Sequence, residues 1–134
     1  MAEGRTRPAG PADARRYLGK AEEFLEAAER ELTAGLTVPA TSLAIHAAIN
    51  ACDAVCAARL GRRAAGANHA EAVELVRQAG PEGAAVARDL SRLLPMKHRA
   101  EYEPEAVARG PATTAVERAG RCVDVARRVV ANLR

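Results

Sequence analysis

The sequence of 134 residues has no tryptophan and very few other aromatic residues, only Tyr17, Phe24 and Tyr102. Proteins that read single-stranded nucleic acid on a sheet stack bases on strand-borne aromatics, so that class of reader is excluded. Lysine is also scarce, two residues against eighteen arginines. No run of 18 or more consecutive apolar residues occurs, and the opening MAEGRTRPAGPA has no apolar core of the signal-peptide kind. The expectation is therefore a cytoplasmic protein without a membrane partner. Cysteine is limited to Cys52, Cys56 and Cys122, each among Ala and Val in a helix-forming stretch, as suits buried reduced thiols. Cys52 and Cys56 stand at i,i+4 with no Cys-x-x-Cys pair and no nearby His-x-x-x-His, so neither a metal nor a cofactor is expected.

What the chain has in quantity is alanine, about a quarter of all positions, together with arginine. Both are strong helix formers, and apart from Val the β-branched and aromatic residues that favour strands are few, so composition points to an all-α fold. One domain of this length buries a sufficient core without staples. The net charge of +3 is too small to mark a polyelectrolyte partner by itself. Its distribution is uneven: residues 12–35 hold four basic and six acidic groups, residues 112–134 five basic and two acidic, a pattern that suits neighbouring helices of opposite sign.

Punctuation divides the chain further. Residues 1–11, rich in Gly, Pro and Arg, read as a disordered lead-in, and 12–134 as the domain. Asp13 is placed to cap a first helix with an apolar stripe of Tyr17, Ala21, Phe24, Leu25, Ala28 and Leu32, closed by Gly35. Thr37 and Pro39 open a second, ending before Gly61, that is apolar nearly all round and therefore central. Asn68 and Glu71 resemble a capping box for a short third helix, and Pro81 starts a fourth that Pro95 should kink or restart before Tyr102. Thr114 and Glu117 fit a capping box for the last. The expected architecture is an up-and-down bundle of about five helices.

Three groups of polar residues exceed what a bundle needs. His46, Asn50 and Asp53, at i, i+4 and i+7, form one stripe on the apolar second helix; the stripe either pins that helix by hydrogen bonds or holds a ligand. His69 opens the third helix after Arg59, Arg62 and Arg63, a corner that is either solvated or an anion site. The run Met96 to Tyr102 sets Lys97 four residues before Glu101, and His98 four before Tyr102. It reads as a helix-end salt bridge with a buried tyrosine, or as a functional cluster.

The helix LAIHAAINACDAVCAARLG, then Gly66 and His69, then MKHRAEY and a final helix beginning near Ala112 together resemble the HEPN (higher eukaryotes and prokaryotes nucleotide-binding) domains over about residues 12–133. Family members often carry Arg-x-x-Ala-Asp-Tyr where this chain has Lys97-His98-Arg99-Ala100-Glu101-Tyr102, with conservative departures at Lys97 and Glu101. The resemblance implies a helical bundle that commonly forms a homodimer. In many members it also implies RNA binding or metal-independent RNA cleavage within toxin–antitoxin or defence systems, with an antitoxin or nucleotidyltransferase as partner protein.

Cleaving members use an Arg, four to six intervening residues and a His, usually with a polar residue after the Arg. Arg92 with His98, Arg63 with His69, and Arg62 with His69 have allowed spacings, but only Arg62 is followed by a polar residue, and Pro95 interrupts the Arg92–His98 segment. If active, His98 would act as general acid or base on the attack of a 2′-hydroxyl, Arg92 would stabilise the phosphorane, and Tyr102 would complete the site. Lys97, Arg99, Arg62, Arg63 and His69 would contact substrate. Because the pattern is degraded, the primary expectation is a catalytically silent dimerisation or protein-interaction module with RNA association, and the alternative a ribonuclease using an Arg/His pair.

Overall fold

The chain winds into four long helices and one short one around a single core, as seen in a computed structural model that describes residues 5–133. Helix α1 spans Pro11–Thr33, α2 Thr37–Leu60, α3 His69–Val76, α4 Gly80–Tyr102 and α5 Arg109–Ala131, with a 3-10 turn at Arg77–Ala79 between α3 and α4. The all-α expectation holds.

Helix α2 lies at the centre, packed by α1, α4 and α5. Its buried residues occupy every side: Ala40, Ala44, Ile45, Ala47, Ala48, Ala51, Cys52, Ala54, Val55 and Cys56 are all shut off from solvent. By length and hydropathy alone, 1.3 on average over an 18-residue window, α2 would pass for a membrane span. Here the apolar surface is instead covered by three neighbouring helices. Those neighbours offer mainly alanine, with Ala14, Ala21 and Ala28 at intervals of seven on α1 and Ala112, Ala115, Ala119 and Ala126 on α5. Small side chains on both sides of a seam let helix axes approach closely. The opposite charges of the outer helices meet where Arg127 of α5 donates from Nε to Glu22 of α1 at 2.8 Å.

Several element ends depart from the sequence expectation. Thr6–Pro8 forms strand β1, antiparallel to β2 at Arg62–Ala64 with Arg7 opposite Arg63, and Ala9 behind it is buried. Residues 5–11 are therefore part of the fold rather than a disordered lead-in, while residues 1–4 of that expected segment lie outside the described residues. Two three-residue strands carry no alternating pattern that a sequence could show. Helix α1 begins at Pro11 behind Gly10, and Asp13 sits inside the first turn, its carboxylate accepting from the Gly10 N–H at 3.0 Å. At its other end Gly35, at φ +82°, closes a Schellman turn in which Leu36 N–H reaches the Glu31 carbonyl.

Asn68 caps α3 by accepting from the Ala70 N–H at 2.9 Å. Glu71 does not return the bond; one of its carboxylate oxygens is buried without a hydrogen-bond partner among the described residues. Pro95 neither ends nor restarts α4, which runs unbroken from Gly80 to Tyr102. Helix α5 starts at Arg109, five residues before Thr114, because Pro111 falls in the first turn, where its missing N–H costs nothing.

Glycines on α4 and α5 make a testable contrast. A Cβ on Gly83 would run into the Val76 carbonyl oxygen, whereas one on Gly120 meets nothing within 4 Å. Gly120→Ala should stabilise by about 0.5–1 kcal/mol and Gly83→Ala should destabilise by about 1–3 kcal/mol. Urea denaturation of both variants checks this, and a stabilised Gly83→Ala would contradict the packing described.

Candidate functional site

Polar groups on the enclosed helix α2 must find partners along its seams, because an unpaired buried polar group costs about 1–3 kcal/mol. The stripe expected from the sequence is real and one turn longer, since Ser42 precedes His46 by four residues. At its upper end both side chains converge on Glu101 of α4. Ser42 Oγ donates to Glu101 Oε1 at 3.2 Å, and His46 Nε2 lies 3.6 Å from the same oxygen. The other oxygen accepts from Lys97 Nζ at 3.0 Å. That hydrogen bond holds the Glu101 carboxyl below the usual carboxylate range and lifts the Lys97 ammonium above its own. His46 also packs its ring on Phe24 of α1, with centroids 5.4 Å apart.

His69, at the start of α3, faces the same cluster. Burial foremost, then the positive field of Lys97 and the proximity of His46, push its imidazole below the usual histidine range, with Glu101 pulling the other way. His69 is therefore neutral at pH 7 beside a charged lysine. Both line a groove of about 640 Å³ between α3 and α4, together with Asn68, Arg77, Ser91 and Pro95. Such an arrangement offers cations to an anionic oxygen and a neutral imidazole to a proton in flight.

Asn50 is satisfied locally, its Nδ2 donating to the His46 carbonyl at 2.9 Å. Asp53, at the lower end of the stripe, makes no hydrogen bond or ion pair among the described residues. Burial pushes its carboxyl up to about 6, against the attraction of Arg63 and Lys20. Arg63 itself lies over the Tyr17 ring, 5.8 Å from its centroid. Arg62 reaches Gln78 and Arg59 reaches Glu82, so the arginine corner is spread over separate partners. Neither Arg62 nor Arg63 lines the groove that holds His69.

The remaining candidates fall on other faces of α4. His98 points outward, its Nε2 3.1 Å from Glu103 Oε1, and its ring packs on Tyr102 at 5.3 Å. Tyr102 is 69% exposed, not buried, because it stands at the end of α4 with no helix above it. Arg99 is exposed on the same last turn. Arg92 opens instead into a groove between α4 and α5, whose lining includes neither His98 nor Tyr102. The structure thus joins His46, His69, Lys97 and Glu101, and sets Arg92 apart from His98. Ser42, Phe24, Arg77 and Glu101 enter the cluster without having been singled out as site residues. Ser42 was detectable as the next step of the stripe, and Glu101 as the i+4 partner of Lys97.

All three cysteines are free and buried; Cys52 Sγ donates to the Ala72 carbonyl at 3.6 Å, and burial pushes the Cys122 thiol up to about 12. Such thiols are inert as nucleophiles.

Two outcomes follow from these environments. Replacing Lys97 by Met removes a cation that disfavours the imidazolium, so the His69 pKa followed by NMR should rise; an unchanged titration would contradict the proximity. Asp53 binds its proton more tightly folded than unfolded, so its ionisation costs stability as pH rises from about 4 through 6. Asp53→Asn should therefore raise the melting temperature at pH 7.5, by about 1–2 kcal/mol of stability, with the gain shrinking toward pH 4. A loss at pH 7.5 would show that the carboxylate is paired.

Comparison with protein families identifies a match to the HEPN domain over residues 14–134. Comparison with curated proteins finds no match.

Proposed function

The chain belongs to the HEPN domain family, and from that premise we propose that it is a catalytically silent, self-associating interaction module that holds RNA along the α3–α4 groove. The observation carrying this reading is the separation of Arg92 from His98. A cleaving pair has to address one phosphate, yet Arg92 opens between α4 and α5 while His98 leans on Glu103 and Tyr102. The α3–α4 groove, by contrast, gathers Lys97, Arg77 and His69 where a phosphate chain can pass. With no aromatic side chain lining it, contact there would be to phosphate and 2′-hydroxyl rather than to stacked bases.

Self-association has its own support. The large exposed apolar residues are Leu36 (51%), Val38 (37%) and Tyr102 (69%). They gather at one end of the bundle, where the α1–α2 turn meets the last turn of α4 through the Ser42–Glu101 hydrogen bond. Apolar side chains concentrated on one surface mark an association site.

One observation favours a ribonuclease reading. His69, neutral beside Lys97, has the protonation state of a general base: it would take the 2′-hydroxyl proton while Lys97 met the charge developing on phosphorus. The test is incubation of purified protein with total RNA in EDTA, for the wild type, His69→Ala and His98→Ala. The proposal expects no cleavage by any of them, and salt-sensitive RNA binding that His69→Ala weakens and His98→Ala leaves unchanged. Cleavage lost in His69→Ala alone would establish the second reading. Cleavage lost in His98→Ala would restore the Arg92–His98 pair and overturn both.

A further inference from the structure

Helix α4 has a second groove on its other side, about 560 Å³ in volume and formed against α5. Its floor is apolar, made by Ala85 and Val86 of α4 and Cys122 and Val125 of α5. Around the floor stand Arg88, Arg92, Arg118, Arg121 and Arg128, with Asp89 and Asp124 as the acidic members. The two carboxylates are already engaged. Asp89 receives Arg118 Nη1 at 3.1 Å and a two-pronged contact from Arg121, Nε at 3.1 Å and Nη2 at 2.9 Å. Asp124 is bonded by Arg127 from outside the groove. Arg88, Arg92 and Arg128 make no ion pair within 4 Å among the described residues, so the rim keeps a surplus of positive charge over an apolar base.

We propose that this α4–α5 groove docks an acidic amphipathic helix from a partner protein, with aliphatic side chains on the Val86–Val125 floor and carboxylates on Arg88, Arg92 and Arg128. Charge complementarity calls for an anion, and the composition of the groove chooses which kind. A nucleic acid would gain from aromatic platforms, which are absent among the lining residues, and has no use for an aliphatic floor. A helix with leucines on one face and glutamates flanking them uses both parts, as helix-in-groove partners do. Dimensions agree: the lining residues run from 85 to 92 on α4 and from 118 to 128 on α5, about 10–15 Å of helix axis, which accommodates two to three turns of a partner. Asp89 adds preorganisation, because it holds the guanidinium planes of Arg118 and Arg121 before any ligand arrives.

A second copy of this chain is a poorer occupant. Its acidic surface, Glu23, Glu26 and Glu29 on α1, is exposed, but the aliphatic residues of that helix, Leu25 and Ala28, face its own core.

The probe is a fluorescein-labelled 14-residue synthetic helix with leucines at i, i+4, i+7 and i+11 flanked by glutamates, followed by fluorescence anisotropy on the full chain at 50 mM salt. Two control peptides replace either the leucines or the glutamates by glutamine, and a labelled 12-nucleotide RNA of mixed sequence completes the set. The expected result is binding at least about tenfold tighter than either control, falling tenfold or more in the Arg88→Glu/Arg92→Glu variant. Circular dichroism verifies that this surface variant stays folded. Methyl NMR gives a readout without any variant, with the Val86 and Val125 signals expected to shift on peptide addition.

Four results would overturn the proposal: no binding of the probe; equal binding of the leucine-free peptide, which would make the groove a bare anion site; RNA binding that disappears in Arg88→Glu/Arg92→Glu; or a dimer of the protein alone that the same substitutions dissolve.

Discussion

Helix α2 is apolar on every side, and its burial by α1, α4 and α5 is the constraint on which the rest of the structure depends. Alanine at the seams makes that enclosure possible, because no large side chain holds the neighbouring helices away. Thr41 is the one fully buried polar residue, and its hydroxyl is returned to the Thr37 carbonyl at 2.8 Å. The other polar side chains of α2 therefore have to leave through the seams. Ser42 and His46 emerge toward α4, where Glu101 receives them, and Asp53 emerges toward Tyr17, Lys20 and Arg63. The two ends of one stripe thus acquire different electrostatics: a carboxylate held ionised by Lys97 at one end, and at the other a carboxylate that burial pushes toward its protonated form.

Helix α4 converts this internal arrangement into surfaces. On one side it joins α3 around His69 and Lys97, on another α5 around five arginines, and its last turn presents His98 and Tyr102 to solvent. Residues close in sequence serve different surfaces for this reason. Arg92 and His98 are six positions apart, so at about 100° per residue they point roughly 120° away from each other around the axis. A spacing accepted by a short motif is therefore not sufficient for a shared site on a helix that stays continuous through Pro95.

Much of the fold was legible in the sequence, and the reasons are particular. Periodicity exposed the α1 stripe and the all-round apolar character of α2, and Gly35 and Gly61 marked real helix ends because each adopts a positive φ. Starts were less legible. Gly10 and Ala108 precede α1 and α5 without a side-chain cap, while the threonines and acids that resemble caps lie inside the helices. The pairing of Arg5–Pro8 with Arg62–Ala65 left no pattern because it is too short to alternate. At the site, contacts of three or four residues, such as Lys97 with Glu101, could be read directly. Ser42 with Glu101, 59 residues apart, depends on how α2 and α4 pack and could not be read from local spacing.

The central claim is that the working surface of this HEPN domain lies around His69 rather than around Arg92 and His98. Its most direct test follows the three imidazoles by NMR while a single-stranded RNA oligonucleotide is titrated into the protein at low salt. Chemical shifts of the His69 ring should move first and furthest, with His98 unaffected. Movement of the His98 ring while His69 stays still would contradict the claim.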